Sequence, residues 1–324
     1  VNRIVLLLAL TGAAAHAQDS KAQALLDGSH FLRLKGLVEP QFRAHPDDAH
    51  AAYLLSRAEG PLGNLDAAMK YAETAAALEP NNAAYHAQVA SACGLMAQAA
   101  GLLKAFGYAR RAKKELDTAL ELDPKNGDAL FGLALYYNAA PQMLGGDKQK
   151  AIDLASALTK LDPVRGYLTQ AKLATDRKDA QAEEHSYRRA LSVDPRNYDA
   201  LVRLATFYLT RDRSAAWQLA HEAIQVDPTQ AEAWKVVVQL HVATQCWDEL
   251  RSVLEQARAA VPDDLAPYYY AAAALAESGH FRHWAADFLD VYKKVQPEGN
   301  EPTLLDAEKV AKRLTGMTTR AGLP

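Results

Sequence analysis

Ala119-Leu120-Glu121-Leu122-Asp123-Pro124 is one copy of a phrase whose recurrence decides the fold of this chain. The phrase returns as Ala-Ala-Ala-Leu-Glu-Pro at 75–80, Leu-Thr-Lys-Leu-Asp-Pro at 158–163, Ala-Leu-Ser-Val-Asp-Pro at 190–195 and Ala-Ile-Gln-Val-Asp-Pro at 223–228. Weaker copies end at Pro46, Pro262 and Pro297, so successive prolines stand 34, 44, 39, 32, 33, 34 and 35 residues apart. Self-similarity at this period marks stacked supersecondary units, each burying its apolar face against its neighbours.

Each part of the phrase has a physical task. Proline has no N–H and restricts the residue before it, so it closes one helix and opens the next unit. The acidic residue before it, with Asn, Asp or Thr after it, supplies capping groups for the next helix start. Small residues such as Ala68, Ala75, Ala119, Ala220 and Ala223 let two helices approach closely. Large ones fill the space between: Leu130 with Leu133, Leu201 with Leu204 and Tyr208, Trp234 with Val237. Offsets of three, four and seven place each set on one helical face.

On these residues the chain resembles the tetratricopeptide repeat family. Leu201, Leu204-Ala205, Tyr208, Ala216, Ala220, Ala223 and Pro228 follow the family pattern, as do Trp234, Val237, Leu250, Leu254, Ala257 and Pro262. The likeness extends over roughly residues 20–297. It implies an all-α, right-handed α-solenoid of about seven to eight stacked antiparallel helix pairs. Pro40, inside the second helix of the first unit, and the compressed 32-residue unit ending at Pro195 depart from the pattern. A terminal capping helix is expected at 302–314, with Leu305, Val310 and Leu314 on its apolar face. Residues 315–324, with Gly, Thr and Pro, are expected to fray.

The N-terminus reads as a secretory signal peptide over 1–17. Arg3 precedes an apolar run from Ile4 to Ala15, and Ala15-His16-Ala17 forms an A-x-A cleavage pattern. The run is too short to span a bilayer, and no Cys follows it for lipid attachment. Val1 fits a non-ATG start codon, which points to bacteria. The mature chain, with its array over 18–314, is therefore expected in the periplasm or outside the cell, without direct membrane insertion.

Two adjacent units are enlarged, at 82–124 and 127–163. In the first, the proline-free run from Tyr85 to Leu122 indicates two lengthened helices, with Gly101 and Gly107 marking the turn region. In the second, Pro141 and Gly145-Gly146 mark a loop over 139–147. Insertions on one edge of a repeat array often build its binding face. A shelf lined by Phe106, Tyr108, Tyr137, Met143 and Leu144 is one expectation. A loop that only covers extra apolar helix surface is the other. Similar enlarged units occur in a group of secreted bacterial tetratricopeptide proteins, and that resemblance implies no defined activity.

Composition excludes several classes. The 324 residues carry a formal net charge of −3 with 49% hydrophobic residues, enough apolar content for a core and no basic excess to capture nucleic acid. Lys and Arg are spread along the chain, and no block of them stands out as a membrane-surface anchor. Cys93 and Cys246 lie 153 positions apart, too distant in a repeat array to pair, and are expected as two buried free thiols. His280 and His283 have H-x-x-H spacing but no third ligand nearby, and a zinc site needs three or four. His86 and Cys93 share a helical face, yet two turns separate them by about 10 Å, too far for a nucleophile–base pair. The neighbouring carboxylates Glu183-Glu184 and Asp263-Asp264 read as solvated faces and caps. No catalytic, cofactor or metal site is expected.

What remains is binding. In a tetratricopeptide array the first helix of each pair lines the inner surface. The outward positions counted there are Tyr53, Arg57, His86, Phe131, Asn138, Arg203, Thr206, Lys235, Gln239, Tyr270 and Glu277. The mixture of aromatic, polar and oppositely charged groups suits an extended peptide or a partner helix. A carboxylate clamp of the family's kind pairs Asn with Lys or Arg on consecutive first helices. Arg203 and Lys235 are present, but Thr206 and Gln239 stand where Asn would serve. The leading expectation is a non-catalytic binding scaffold for a protein or peptide. A structural or assembly subunit of an envelope complex is a second, and a hydrolase or metal-dependent enzyme at the shelf or at His280 and His283 is a third.

Overall fold

A computed structural model describes residues 19–279, 281–299 and 302–320, with side chains as far as 315. The expected signal segment at 1–17 lies outside them, as do His280 and the last four residues. All regular structure in the described residues is helical. Among the described residues seventeen α-helices follow one another: α1 over 19–27, α2 Phe31–Ala44, α3 Ala49–Glu59, α4 Leu65–Leu78, α5 Ala83–Ala99, α6 Leu102–Leu122, α7 Gly127–Ala139, α8 Lys148–Leu161, α9 Pro163–Asp176 and α10 Ala180–Val193. They continue as α11 Tyr198–Tyr208, α12 Arg213–Val226, α13 Ala231–Thr244, α14 Trp247–Ala260, α15 Ala266–Ser278, α16 Arg282–Tyr292 and α17 Leu304–Arg320. The chain divides into two compact units, the first ending at Gly132 and the second beginning at Leu133, within α7.

The repeated phrase builds its corner as its chemistry dictates. Asp123, Asp194 and Asp227 end α6, α10 and α12, and each side chain accepts the N–H two residues on, from Lys125, Arg196 and Thr229 at 2.9, 3.1 and 2.9 Å. That Asx turn re-aims the chain. Asn82, Asn126 and Asn197 then cap the next helix by accepting from Ala84, Ala129 and Ala200. The compressed unit omits the corner altogether. Asp162 is both the last cap of α8 and the first cap of α9, accepting from Arg165 N–H at 3.0 Å with Pro163 as the first helical residue. Gly166 makes this directness possible, since a Cβ there would lie 2.3 Å from Thr159.

Packing follows the small–large alternation. Ala75, Ala119, Ala220 and Ala223 are wholly buried and Ala68 almost so, as are the large residues from Leu130 to Val237 expected to fill the gaps. In the first unit the core joins α1, α2 and α3 through Ala22, Phe31, Leu34, Val38 and Leu55, with Pro40 accommodated inside α2. In the second, α11, α12 and α13 interlock through Leu204, Tyr208, Ala216, Ala220 and Val237. A larger cluster joins α13 to α17.

Several expectations need correction. The turn of the first enlarged pair is at Ala100 and Gly101 alone; Gly107 lies inside α6, whose 21 residues run unbroken. The capping helix does not stop at 314 but continues to Arg320. Its buried face is Ala307, Val310 and Leu314, whereas Leu305 is 59% exposed, because it lies two residues from Ala307 and so on the far side of the helix. Both cysteines are free, but only Cys93 is buried; Cys246 sits half-buried at the N-cap of α14.

Candidate binding groove

The residues expected to face outward divide into those the fold leaves available and those it consumes. His86 is consumed. Its Nδ1 lies 2.7 Å from Glu115 Oε2 on α6 and its Nε2 2.9 Å from the Pro80 carbonyl, so it ties α5 to its own partner helix and to the preceding corner. Asn138 is consumed as well: it is buried, donates to Asp176 Oδ2 at 2.9 Å, and receives the Lys148 ammonium at both its carbonyl and its side-chain oxygen. It thereby joins α7, α8 and α9. Tyr53 is half-buried between His50 and Tyr85, with ring centroids 6.1 and 5.4 Å away, and its hydroxyl accepts from Arg57 at 2.7 Å. Phe131 is half-buried on the first half of α7.

The enlarged elements divide between the two units. Phe106 and Tyr108 lie half-buried on α6, in the first. In the second, the 139–147 loop is tightly braced. Tyr136 donates to the Leu144 carbonyl at 2.6 Å, Gly146 N–H to Pro141 and Asp147 N–H to Tyr137. Gly146 is required there, because a Cβ would fall 1.8 Å from the Ala140 oxygen. Asp147 caps α8 through Gln149 and Lys150 N–H. Tyr137 stands edge-on to Tyr136 under the Lys150 ammonium, Leu144 is half-buried, and Met143 projects with 81% of its surface exposed.

In the second unit, consecutive first helices bring a groove of about 530 Å³ together. Thr175 at the end of α9, Asp199, Val202, Arg203, Thr206 and Phe207 on α11, Arg211 just after it, and Glu232 on α13 line it, with Glu183 and Tyr187 contributed by α10. Tyr198 sets the spacing of its walls. Its buried hydroxyl donates to the Gln230 carbonyl at 3.1 Å and accepts from Ala233 N–H at 3.0 Å, which locks the start of α13 against α11. Burial pushes that phenol well above its ordinary value.

The charges at the groove pair along their own helices. Asp199 lies one turn before Arg203 on α11, 3.9 Å apart, and Glu232 one turn before Lys235 on α13, 2.5 Å apart. Two neighbouring helices therefore each carry an acid followed one turn later by a base. Lys235 also lies 5.1 Å over the Tyr270 ring of α15, and Arg211 4.1 Å over the Phe207 ring. Gln239 is half-buried one turn beyond Lys235, and Glu277 is exposed on α15. Of the expected residues Arg203 and Thr206 line the groove, while Lys235 adjoins it through Glu232 and Tyr270 through Lys235. Asp199, Glu232, Glu183, Tyr187 and Arg211 were not anticipated. The acidic pair had a signal, since positions 199 and 232 stand 33 residues apart, the interval that separates Pro195 from Pro228; Arg211, beyond the end of α11, had none.

Among the described residues no group of three or more His, Cys, Asp or Glu side chains converges to hold a metal, and no helix is long and apolar enough to cross a membrane. His283 lies in an aromatic cluster with Phe281 and Trp284, at ring distances of 6.3 and 6.0 Å. Burial raises the Cys93 thiol to about 11, which leaves it a poor nucleophile near neutrality.

Comparison with known proteins bears on the fold. A family model described as regulator of microtubule dynamics protein 1-3 matches residues 42–140, less than half of the chain. No curated protein matches it. Among solved structures, a thermophilic tetratricopeptide protein of Thermus thermophilus is similar with TM-score 0.53 and 21% identity, over 60% of this chain and 98% of that one. A chain of the APC/C hetero-tetramer Cut9–Hcn1 is similar with TM-score 0.51 and 14% identity, over 92% of this chain and 55% of that one. Yeast Tom70 gives 0.51 and 14%, over 92% and 72%. The fold is that of tetratricopeptide repeat proteins.

Proposed function

We propose that this chain is a non-catalytic scaffold of the bacterial cell envelope that holds a protein or peptide segment in the groove formed by α9, α11 and α13. The observation that carries the reading is the open trough lined by Asp199, Arg203, Thr206, Phe207 and Glu232, with Lys235 paired to Glu232 at its margin and stacked on Tyr270. An extended chain laid across the trough meets hydrogen-bonding and charged groups of both signs, while the aromatic rings supply apolar contact. The groups point along a surface and not toward one reacting atom, which suits recognition and not bond making. The fold supports the same reading, since the similar chain of Cut9–Hcn1 stands in a complex with another protein. The envelope location rests on the signal-peptide layout of residues 1–17.

The test is selection of peptides from a displayed library against the full chain, followed by affinity measurement on an Arg203→Glu, Lys235→Glu double variant. Reversing two groove charges is expected to weaken the selected peptides by about tenfold or more. No enrichment over an unrelated protein, or peptides indifferent to both reversals, would remove the groove from consideration.

A further inference from the structure

The surface of α6 departs from the rest of the chain. Between Glu79 and Glu115 there is no Asp or Glu at all, while Lys104, Arg110, Arg111, Lys113 and Lys114 fall within that stretch. A chain of net charge −3 thus contains one strongly basic segment. Reading Lys and Arg as evenly spread overlooks it, because the missing acids matter as much as the bases present.

The segment forms the enlarged α5–α6 hairpin, and its apex is apolar. Residues 87–103 carry no charged side chain. At the apex Leu102 and Leu103 are 71% and 87% exposed, so the most exposed large apolar side chain among the described residues stands beside another like it. A single exposed leucine is ordinary; an adjacent pair at the tip of a projecting hairpin is a contact surface without its contact. Along α6 the positions Leu103, Gly107, Arg110 and Lys114, at offsets of four, seven and eleven, share one face. Arg110 and Lys114 lie about 10 and 16 Å behind the tip at 1.5 Å per residue. Arg111 is held by Glu73 at 2.6 Å and Lys113 by Asp117 at 2.6 Å. Lys104, Arg110 and Lys114 are exposed and make no ion pair among the described residues.

We propose that the apex of the α5–α6 hairpin adsorbs to an anionic lipid surface, with Leu102 and Leu103 entering the headgroup–acyl boundary and Lys104, Arg110 and Lys114 meeting the lipid phosphates. Interfacial segments bury apolar side chains about 5–10 Å deep, a depth that brings Arg110 level with the phosphates when the leucines are seated. Lys104, next to the tip, reaches back to the same level along its own stem. Residues 101–104 at the tip are all exposed, which favours a lipid surface: anchoring side chains in protein interfaces come with a complementary cavity, whereas a lipid surface accepts any protruding apolar group. Two leucines and three cations make a weak, reversible anchor, fitted to holding a scaffold near a membrane and not to spanning it.

The experiment is flotation of the full chain with vesicles of phosphatidylcholine alone and of equal parts phosphatidylcholine and phosphatidylglycerol. Binding is expected to the anionic vesicles only and to fall as salt is raised. Each surface cation contributes about fivefold, so an Arg110→Glu, Lys114→Glu variant is expected to bind at least about twentyfold more weakly. A Leu102→Ser, Leu103→Ser variant is expected to lose about tenfold. All four positions are exposed, and circular dichroism verifies that both variants remain folded. Failure to bind anionic vesicles, or equal binding by wild type and both variants, overturns the proposal. So does binding to polyglutamate in place of vesicles, which assigns the cations to an acidic protein. A concentration-dependent dimer abolished by the leucine substitutions overturns it too, by assigning the apex to a second copy of this chain.

Discussion

Asn138 shows how a single side chain can satisfy a groove pattern and still belong to the interior. Its position on a first helix counts as outward by repeat arithmetic, yet it is buried, donating to Asp176 and accepting from Lys148. Replacing it with Ala leaves the Lys148 ammonium and the Asp176 carboxylate short of a partner. The expected cost is about 1–3 kcal/mol in urea unfolding, with groove affinity unchanged. A variant of full stability that binds the selected peptides less tightly would return Asn138 to the binding surface. His86 makes the same point through Glu115 and Pro80. Repeat position tells which face a residue occupies. Whether its polar atoms are free depends on the side chains that neighbouring helices bring against it, and the repeat pattern does not specify these.

Among the elements, the caps were the most legible. Acid, Pro and Asn at fixed spacing predict the corner because Asx turns and N-caps bond within four residues of their own position. One further cap lies outside the repeated phrase, in Pro302-Thr303-Leu304-Leu305-Asp306. Thr303 Oγ1 accepts Asp306 N–H at 3.2 Å while Asp306 Oδ2 accepts Thr303 N–H at 3.0 Å, a reciprocal capping box at the start of α17. These bonds and the Lys309 ammonium hold the Asp306 carboxyl down to about 2, with Lys309 the largest cause. A depressed carboxylate contributes its full stability above its unfolded value of 3.8 and loses it as pH falls through its folded one. An Asp306→Asn variant is therefore expected to unfold about 1 kcal/mol more easily than wild type at neutral pH, with the difference closing as pH approaches 2. A difference that stays constant over that window would mean that the carboxylate charge is not what anchors α17. The helix also shows why its apolar face was misjudged. Leu305 is the larger side chain, but Ala307 is the residue that shares a face with Val310 and Leu314.

For the whole molecule, the location is the reading most open to a direct check. A fusion of residues 1–30 to alkaline phosphatase is expected to be active in a bacterial host, because that enzyme matures only where disulfides form. An inactive fusion made in normal amounts would place the scaffold elsewhere and remove the envelope from its proposed function. By itself the sequence determined the helical-hairpin repeat, the small–large packing within it, the corners and the two enlarged units, since all of these follow from period and from chemistry local to a few residues. Only the tertiary structure decided which polar side chains line the groove, that Asp199 and Glu232 meet there from neighbouring helices, that His86 and Asn138 are spent on packing, and that Leu102 and Leu103 are left uncovered. The reason is that exposure and pairing are set by residues from other helices, at distances along the chain that no local pattern encodes.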